Sequence, residues 1–275
     1  MAFYLKQSDA FEKNKVTLEY IPQGCSMKMF TRAVVVLFFV YLITATTSKR
    51  NSSMLCLENE RQALLRFKND LTDYSGRLSS WNVVHNDCCY WAGVVCHSFN
   101  GHVVELHLQN PYGYCTFNIS YAGRETYMAC EKNNLGGKIN PSLLNLEQLS
   151  YLDLSHNDFE GIQIPSFISS LRTLRYLNLS DAGFGGLIPP GLGNLSDLRT
   201  LDLGSSSYGF LRAENFRWLS DLSFLQHLDL SFANLSQASD WLQVTNMLPS
   251  LVVLRLSYCN LDLSVSLPTW SILLG

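Results

Sequence analysis

Charge is scarce in this chain. Only 16% of its 275 residues are Asp, Glu, Lys or Arg, and the net charge is −3. That shortage excludes a charged disordered tail and a coiled coil. It also argues against a nucleic-acid binder, because no Lys/Arg surplus exists to neutralise phosphates. Long apolar runs are missing as well. The longest, residues 33–45 (AVVVLFFVYLITA), has 13 residues, short of the roughly 20 a membrane span needs. Catalytic signatures are absent: there is no H-E-x-x-H, no G-x-S-x-G and no phosphate-binding loop. His85, His97, His102, His107, His156 and His227 share no ligand spacing beyond a loose His102/His107 pair. No catalytic residue, metal or cofactor is expected, and the chain is read as a non-enzyme.

The 13-residue run has another use. Lys28 and Arg32 precede it, and Thr46, Thr47 and Ser48 follow it. A basic start, a short apolar centre and a small-residue exit describe a signal peptide, here over 27–48. Residues 1–26 are polar and irregular. Met27 or Met29 as the start gives a compact signal peptide, so 1–26 is read as a doubtful extension. Removal of the first 48 residues leaves 15 basic against 20 acidic groups, a mildly acidic surface that implies no particular partner.

Cysteine is sparse but clustered. Cys25 precedes the expected cleavage point. Six others, Cys56, Cys88, Cys89, Cys96, Cys115 and Cys130, fall in one stretch, with Cys259 alone downstream. An even number behind an export signal suggests three disulfides in an oxidising compartment. Cys88 and Cys89 are adjacent and must look outwards, so the economical pairing is Cys56–Cys88, Cys89–Cys96 and Cys115–Cys130. Zinc is the rival, and it lacks a C-x₂-C pair. Five N-x-S/T triplets, at Asn51, Asn118, Asn178, Asn194 and Asn234, fit a glycosylated exported surface.

Leucine is what the chain has in excess, 46 in all. The leucines fall in register. Leu149-S-Y-Leu152-D-Leu154-S-H-Asn157-D-Phe159 is followed by copies starting at Leu174, Leu198, Leu225 and Leu251, spaced by 25, 24, 27 and 26 residues. A divergent copy starts at Val103, and an insertion over 111–131 separates it from the rest. About six copies at this period define a leucine-rich repeat solenoid. Each L-x-L is a short strand with its leucines inward. One repeat cannot bury its leucines alone, whereas stacked repeats share one core under a curved parallel sheet on the concave face. The Asn157 amide is expected to bond backbone groups of neighbouring turns. Ala182, Ser206, Ala233 and Cys259 hold the equivalent places, so Cys259 is read as a small buried residue rather than a reactive thiol.

A second theme recurs in Leu135-G-G-K-I-N-Pro141, Phe159-E-G-I-Q-I-Pro165 and Phe184-G-G-L-I-Pro189. Gly permits the bend and Pro fixes φ on the return. Gly191-L-Gly193 belongs to this turn and has no βαβ setting, which excludes a nucleotide loop.

This theme resembles the plant-specific leucine-rich repeat class. The preceding segment does so too: Cys56-L-E-N-E-R-Q-A-L-L-R-F-K, Leu78-S-S-Trp81 and Asp87-Cys88-Cys89-Y-Trp91-A-Gly93-V-V-Cys96 resemble the family's N-terminal cap, placed over 49–101. Ala63, Leu64, Phe67 and Leu71 fall at helical spacing within 60–71, a helix that would cover the first edge of the solenoid. Residues 218–251 are similar to receptor-like proteins of the ethylene-inducing-xylanase receptor type. The resemblance implies an α/β leucine-rich repeat solenoid with a disulfide-stapled cap, at the cell surface or outside it. It further implies recognition of a protein or peptide in plant defence, with no kinase of its own and signalling through receptor kinases. Full members carry more repeats, a C-terminal cap and a membrane span. This chain ends within a repeat, so it is read as a front portion of such a protein, with repeats over 102–275, and membrane anchoring depends on sequence beyond residue 275. Leu254, Leu256, Leu267, Ile272, Leu273 and Leu274 would then face nothing, an aggregation liability.

Recognition in a solenoid falls on outward strand residues of successive repeats. Those proposed for ligand contact are Tyr151, Asp153, His156, Tyr176, Asp181, His227, Phe232, Arg255 and Tyr258. Glu105, His107, Asn178, Asp202 and Asp229 share the face. Aromatics lead, because they dominate binding hot spots, whereas Asp153, Asp202 and Asp229 recur as part of the common L-D-L wording. A glycan on Asn178 would block part of this face. Two other readings stand beside recognition: a secreted inhibitor of a cell-wall-degrading enzyme, which shares the cap-plus-repeats plan, and a truncated product without function.

Overall fold

The computed structural model describes residues 55–84, 86–113, 124–206 and 211–261. The expected signal peptide, Cys25, Asn51, Cys115, Asn118, Leu267 and 272–274 lie outside them.

Helix α1 (Glu58–Asn69) opens the cap and buries Ala63, Leu64 and Phe67 completely. Sequence spacing extended this helix through Leu71. Instead Asp70 caps it, and Leu71 starts strand β1 (Leu71–Asp73). Strand β1 pairs antiparallel with β4 (Leu135–Gly137), the first L-x-G segment. Gly137 has φ +85°, and a Cβ there would lie 2.5 Å from the Asp70 carbonyl oxygen, so this crossing requires glycine.

The main sheet has seven strands. β2 (Val94–Cys96) runs antiparallel to β3 (Val103–His107). Then β5 (Tyr151–Asp153), β6 (Tyr176–Asn178), β8 (Thr200–Asp202), β10 (His227–Asp229) and β11 (Val253–Arg255) add in parallel, in chain order. Such an order, without crossover, defines a solenoid. The central leucines Leu152, Leu177, Leu201 and Leu228 are at most 1% exposed. Short 3₁₀ turns at Pro141–Asn145, Ser166–Ser170, Pro190–Asn194 and Arg217–Asp221 close successive coils from the other side of this core. Gly193 lies in one of them. A Cβ there would meet the Trp218 carbonyl oxygen of the next coil at 2.1 Å, so the glycine serves coil stacking. β7 (Gly186–Leu187) and β9 (Leu211–Arg212) form a small second parallel pair at the bend. Helix α2 (Arg124–Lys132) lies in the insertion, and α3 (Trp241–Asn246) in the fourth interval. At the far end, Leu251, Leu254 and Leu256 are only partly buried against the core.

The ladder position is uneven. The Asn157 amide accepts from Leu135 N (2.9 Å) and donates to the Leu108 (2.8 Å) and Leu154 (2.9 Å) carbonyls. Ala182 and Ala233 fill the same place with a buried methyl. The Cys259 thiol, buried, donates to the Leu230 carbonyl at 3.0 Å. Desolvation pushes this thiol up to about 12, which keeps it protonated and unreactive. Ser206 departs from the expectation. It is exposed, and its N–H and hydroxyl bond Asp181 Oδ1 at 2.6 and 2.8 Å. The interval that holds it, Leu198 to Leu225, is the longest of the four after Leu149, at 27 residues.

Polar ties fasten the cap to the repeats. Cys56–Cys88 and Cys89–Cys96 are bonded. Cys130 is disulfide-bonded as well, while its expected partner Cys115 lies outside the described residues. Glu60 is fully buried, accepting from Val103 N and lying 2.7 Å from His102 Nδ1. The Arg77 guanidinium donates to the carbonyls of Leu108, Gln109 and Asn133 and to Asn157 Oδ1. One side chain therefore joins the cap, the first repeat, the end of the insertion and the ladder asparagine. Its desolvation lowers its pKa from the usual value; Arg remains charged even so.

Candidate functional site

Parallel register sets the outward residues of the sheet in columns. One runs Glu105, Tyr151, Tyr176, Thr200, His227, Val253. The next runs His107, Asp153, Asn178, Asp202, Asp229, Arg255. Neighbouring strands lie about 4.8 Å apart, a spacing that stacks flat rings. Tyr151 and Tyr176 stack at 4.1 Å and 5°, and His107 meets Tyr151 at 4.4 Å. Burial, followed by the neighbouring Tyr176 hydroxyl, raises the Tyr151 phenol above its ordinary pKa, so it stays neutral. The stack is half-buried, and His227 and Arg255 at the other end are exposed.

The second column is largely structural. Asp153 Oδ1 accepts from Ser155 N (2.9 Å) and Oγ (2.7 Å). Asn178 does the same for Ser180, Asp202 for Gly204 N and Asp229 for Ser231 N. Each is an Asx turn that ends its strand. Asp153 is only 5% exposed, which corrects its assignment to ligand contact: Oδ1 is spent on the turn, and Oδ2 accepts from the Tyr151 hydroxyl at 3.3 Å. Asp202 is more awkward. Desolvation first, then the Asp229 charge, pushes its carboxyl up to about 6. Arg255 approaches Asp229 at 3.5 Å.

A third row follows the strands. His156, Asp181, Phe232 and Tyr258 adopt φ of +58°, +50°, +65° and +56°. Asp and His tolerate this left-handed region; for an aromatic residue it is uncommon. Phe232 and Tyr258 stack at 4.8 Å, and Tyr258 is 61% exposed. Thus the nine residues named from the sequence divide. Tyr151, Tyr176, His227 and Arg255 lie in the strand columns; His156, Asp181, Phe232 and Tyr258 form the row beyond them; Asp153 is buried. Glu60 and Arg77 went unnoticed, because a single charged residue in an aperiodic cap carries no pattern. Among the described residues, no three His, Cys, Asp or Glu side chains gather as a metal site. No helix among them is long and apolar enough to cross a membrane.

A parallel solenoid of leucine-rich coils with a disulfide-bonded cap defines a leucine-rich repeat domain. Family models agree: residues 57–97 match the leucine rich repeat N-terminal domain, and 148–171 and 173–195 match the Leucine Rich Repeat. Over most of its length the chain is similar to plant leucine-rich repeat receptor-like proteins. Receptor-like protein EIX1 of Solanum lycopersicum is 43% identical over 237 residues, 85% of this chain and 22% of the relative. The chain thus spans about a fifth of that relative's length. Among solved structures, the BIR2 ectodomain of Arabidopsis thaliana is similar with TM-score 0.51 and 26% identity, over 65% of this chain and 82% of that one. The ectodomain of the Arabidopsis receptor kinase GASSHO1/SCHENGEN3, in complex with CASPARIAN STRIP INTEGRITY FACTOR 2, gives 0.51 and 26%, over 69% of this chain and 20% of that one.

Proposed function

We propose that the chain is the ligand-recognition end of an extracellular, non-catalytic receptor-like protein of plant defence. Residues 27–48 export it to the cell surface or beyond. A protein or peptide is the ligand, and partner receptor kinases carry the signal. The observation that carries the reading is the His107–Tyr151–Tyr176 array, half-exposed on the open sheet and held by its own register. Stacked, preorganised aromatics supply contact area without ordering cost. The likeness to EIX1 supports a receptor role, and a GASSHO1/SCHENGEN3 ectodomain in complex with CASPARIAN STRIP INTEGRITY FACTOR 2 supports ligand binding on this architecture.

The test uses the secreted chain on a sensor surface, with an ethylene-inducing xylanase as probe. Binding that falls at least about tenfold in Tyr151→Ala/Tyr176→Ala is expected, with xylanase activity unchanged in the complex. Loss of xylanase activity would favour the inhibitor reading. Absence of binding, or binding indifferent to both tyrosines, overturns the proposal.

A further inference from the structure

The row beyond the strands borders a cavity of about 270 Å³. Its other wall is the insertion, through Glu131 of helix α2. The volume lies just below the roughly 300–1,000 Å³ of pockets for whole drug-sized ligands; it suits one side chain. Three features define its chemistry. Phe184, Phe232 and Leu211 give it an apolar lining. Glu131, Asp158 and Asp181 bring three carboxylates, and among the described residues no Lys or Arg lines it. His156 Nδ1 faces Asp181 Oδ2 at 3.7 Å, too far for a hydrogen bond, and is buried without a partner.

The carboxylates are held but not used up. Asp181 Oδ1 takes the Ser206 N–H and hydroxyl, and Asp158 Oδ1 takes the Glu160 N–H. In each case the second oxygen accepts no hydrogen bond among the described residues. An occupant must therefore be a cation with several donors and apolar flanks. An ammonium offers a compact point charge; a guanidinium offers a flat face to the phenyl rings and five donors in a fixed fork. We infer that this cavity binds the guanidinium of an arginine side chain presented by a protein or peptide partner, with the Asp181 and Asp158 carboxylates as acceptors.

The inference rests on the recognition reading, yet its probe is a small molecule, so the two fail separately. N-acetyl-arginine amide is titrated into the whole chain by ligand-observed NMR, with the neutral citrulline amide as isostere. Millimolar binding of the arginine amide is expected, with the citrulline amide about tenfold weaker or more. Asp158→Asn/Asp181→Asn keeps both backbone caps and the left-handed φ, and should weaken the arginine amide by a similar factor with the melting temperature unchanged. Should that variant melt lower, Glu131→Gln on the exposed helix face tests the same charge recognition and should weaken binding by a smaller factor. No binding, equal binding of the two amides, or binding indifferent to these substitutions overturns the inference. A null result here leaves the tyrosine array and its xylanase test standing.

Discussion

The cap and the repeats hold together by different means. In the repeats, stability is periodic: Leu152, Leu177, Leu201 and Leu228, at the same place in successive coils, lie buried, and each coil supports its neighbours. In the cap, stability is singular. Trp81 stacks on Trp91 at 5.7 Å and donates to the Ala92 carbonyl, two disulfides close short loops, and Glu60 and Arg77 cross to the repeats. A periodic core spreads a local loss over many coils. A fastening made of unique groups has no spare.

The disulfides sharpen that contrast most. Cys56 and Cys88 are 32 residues apart, whereas Cys89 and Cys96 are 7 apart. Loop entropy then gives about 3–4 kcal/mol for the first and about 2–2.5 kcal/mol for the second. Cys56→Ser/Cys88→Ser should therefore lower the denaturation midpoint more than Cys89→Ser/Cys96→Ser. Equal losses would mean that the cap is not limited by chain entropy. Next in size, Arg77→Ala should cost about 2–3 kcal/mol, since it strands buried carbonyls. Arg77→Lys should not restore the loss, because one ammonium cannot reach the forked set.

A smaller comparison uses one ladder position in two coils. Asn157→Ala removes the side-chain acceptor of Leu135 N and the amide donor to the Leu108 and Leu154 carbonyls, and should cost about 2 kcal/mol. Cys259→Ala removes one weak donor and should cost well under about 1 kcal/mol. Chemical denaturation of both variants decides it. The smallest effect should be a gain. The folded chain holds the Asp202 proton up to about pH 6, above the ordinary carboxyl range. Native Asp202 therefore loses stability as pH rises through that value. Asp202→Asn keeps the Gly204 cap and should stabilise by about 1 kcal/mol at neutral pH. The gain should fade as pH falls towards 4. A gain independent of pH would show that repulsion from Asp229 and desolvation are not its cause.

The same contrast explains what the sequence made legible. Period and register are visible in Leu149, Leu174, Leu198, Leu225 and Leu251, so the sheet and its columns could be read directly. The cap was legible through its cysteines and Trp81, but not through Glu60 or Arg77, whose partners lie 43 and up to 80 residues away. The helix end at Asn69 was missed because Leu71 continues the apolar spacing while its backbone already pairs with Gly137. Asp153 was misread because alternation places it outward, and alternation says nothing of a side chain that folds back on its own turn. Ser206 was misread because leucine spacing does not show that its N–H and hydroxyl turn outward to Asp181 Oδ1.

The outward residues of the sheet thus divide into those that build the turn and those that meet a ligand. That division is tested most directly by measuring melting temperature and xylanase binding on the same two variants. Asp153→Ala should melt lower by several degrees, from the loss of its turn cap, and bind as wild type below its melting point. Tyr151→Ala/Tyr176→Ala should change binding by far the more. If Asp153→Ala abolished binding at unchanged stability, the division of the sheet face drawn from these hydrogen bonds would be wrong.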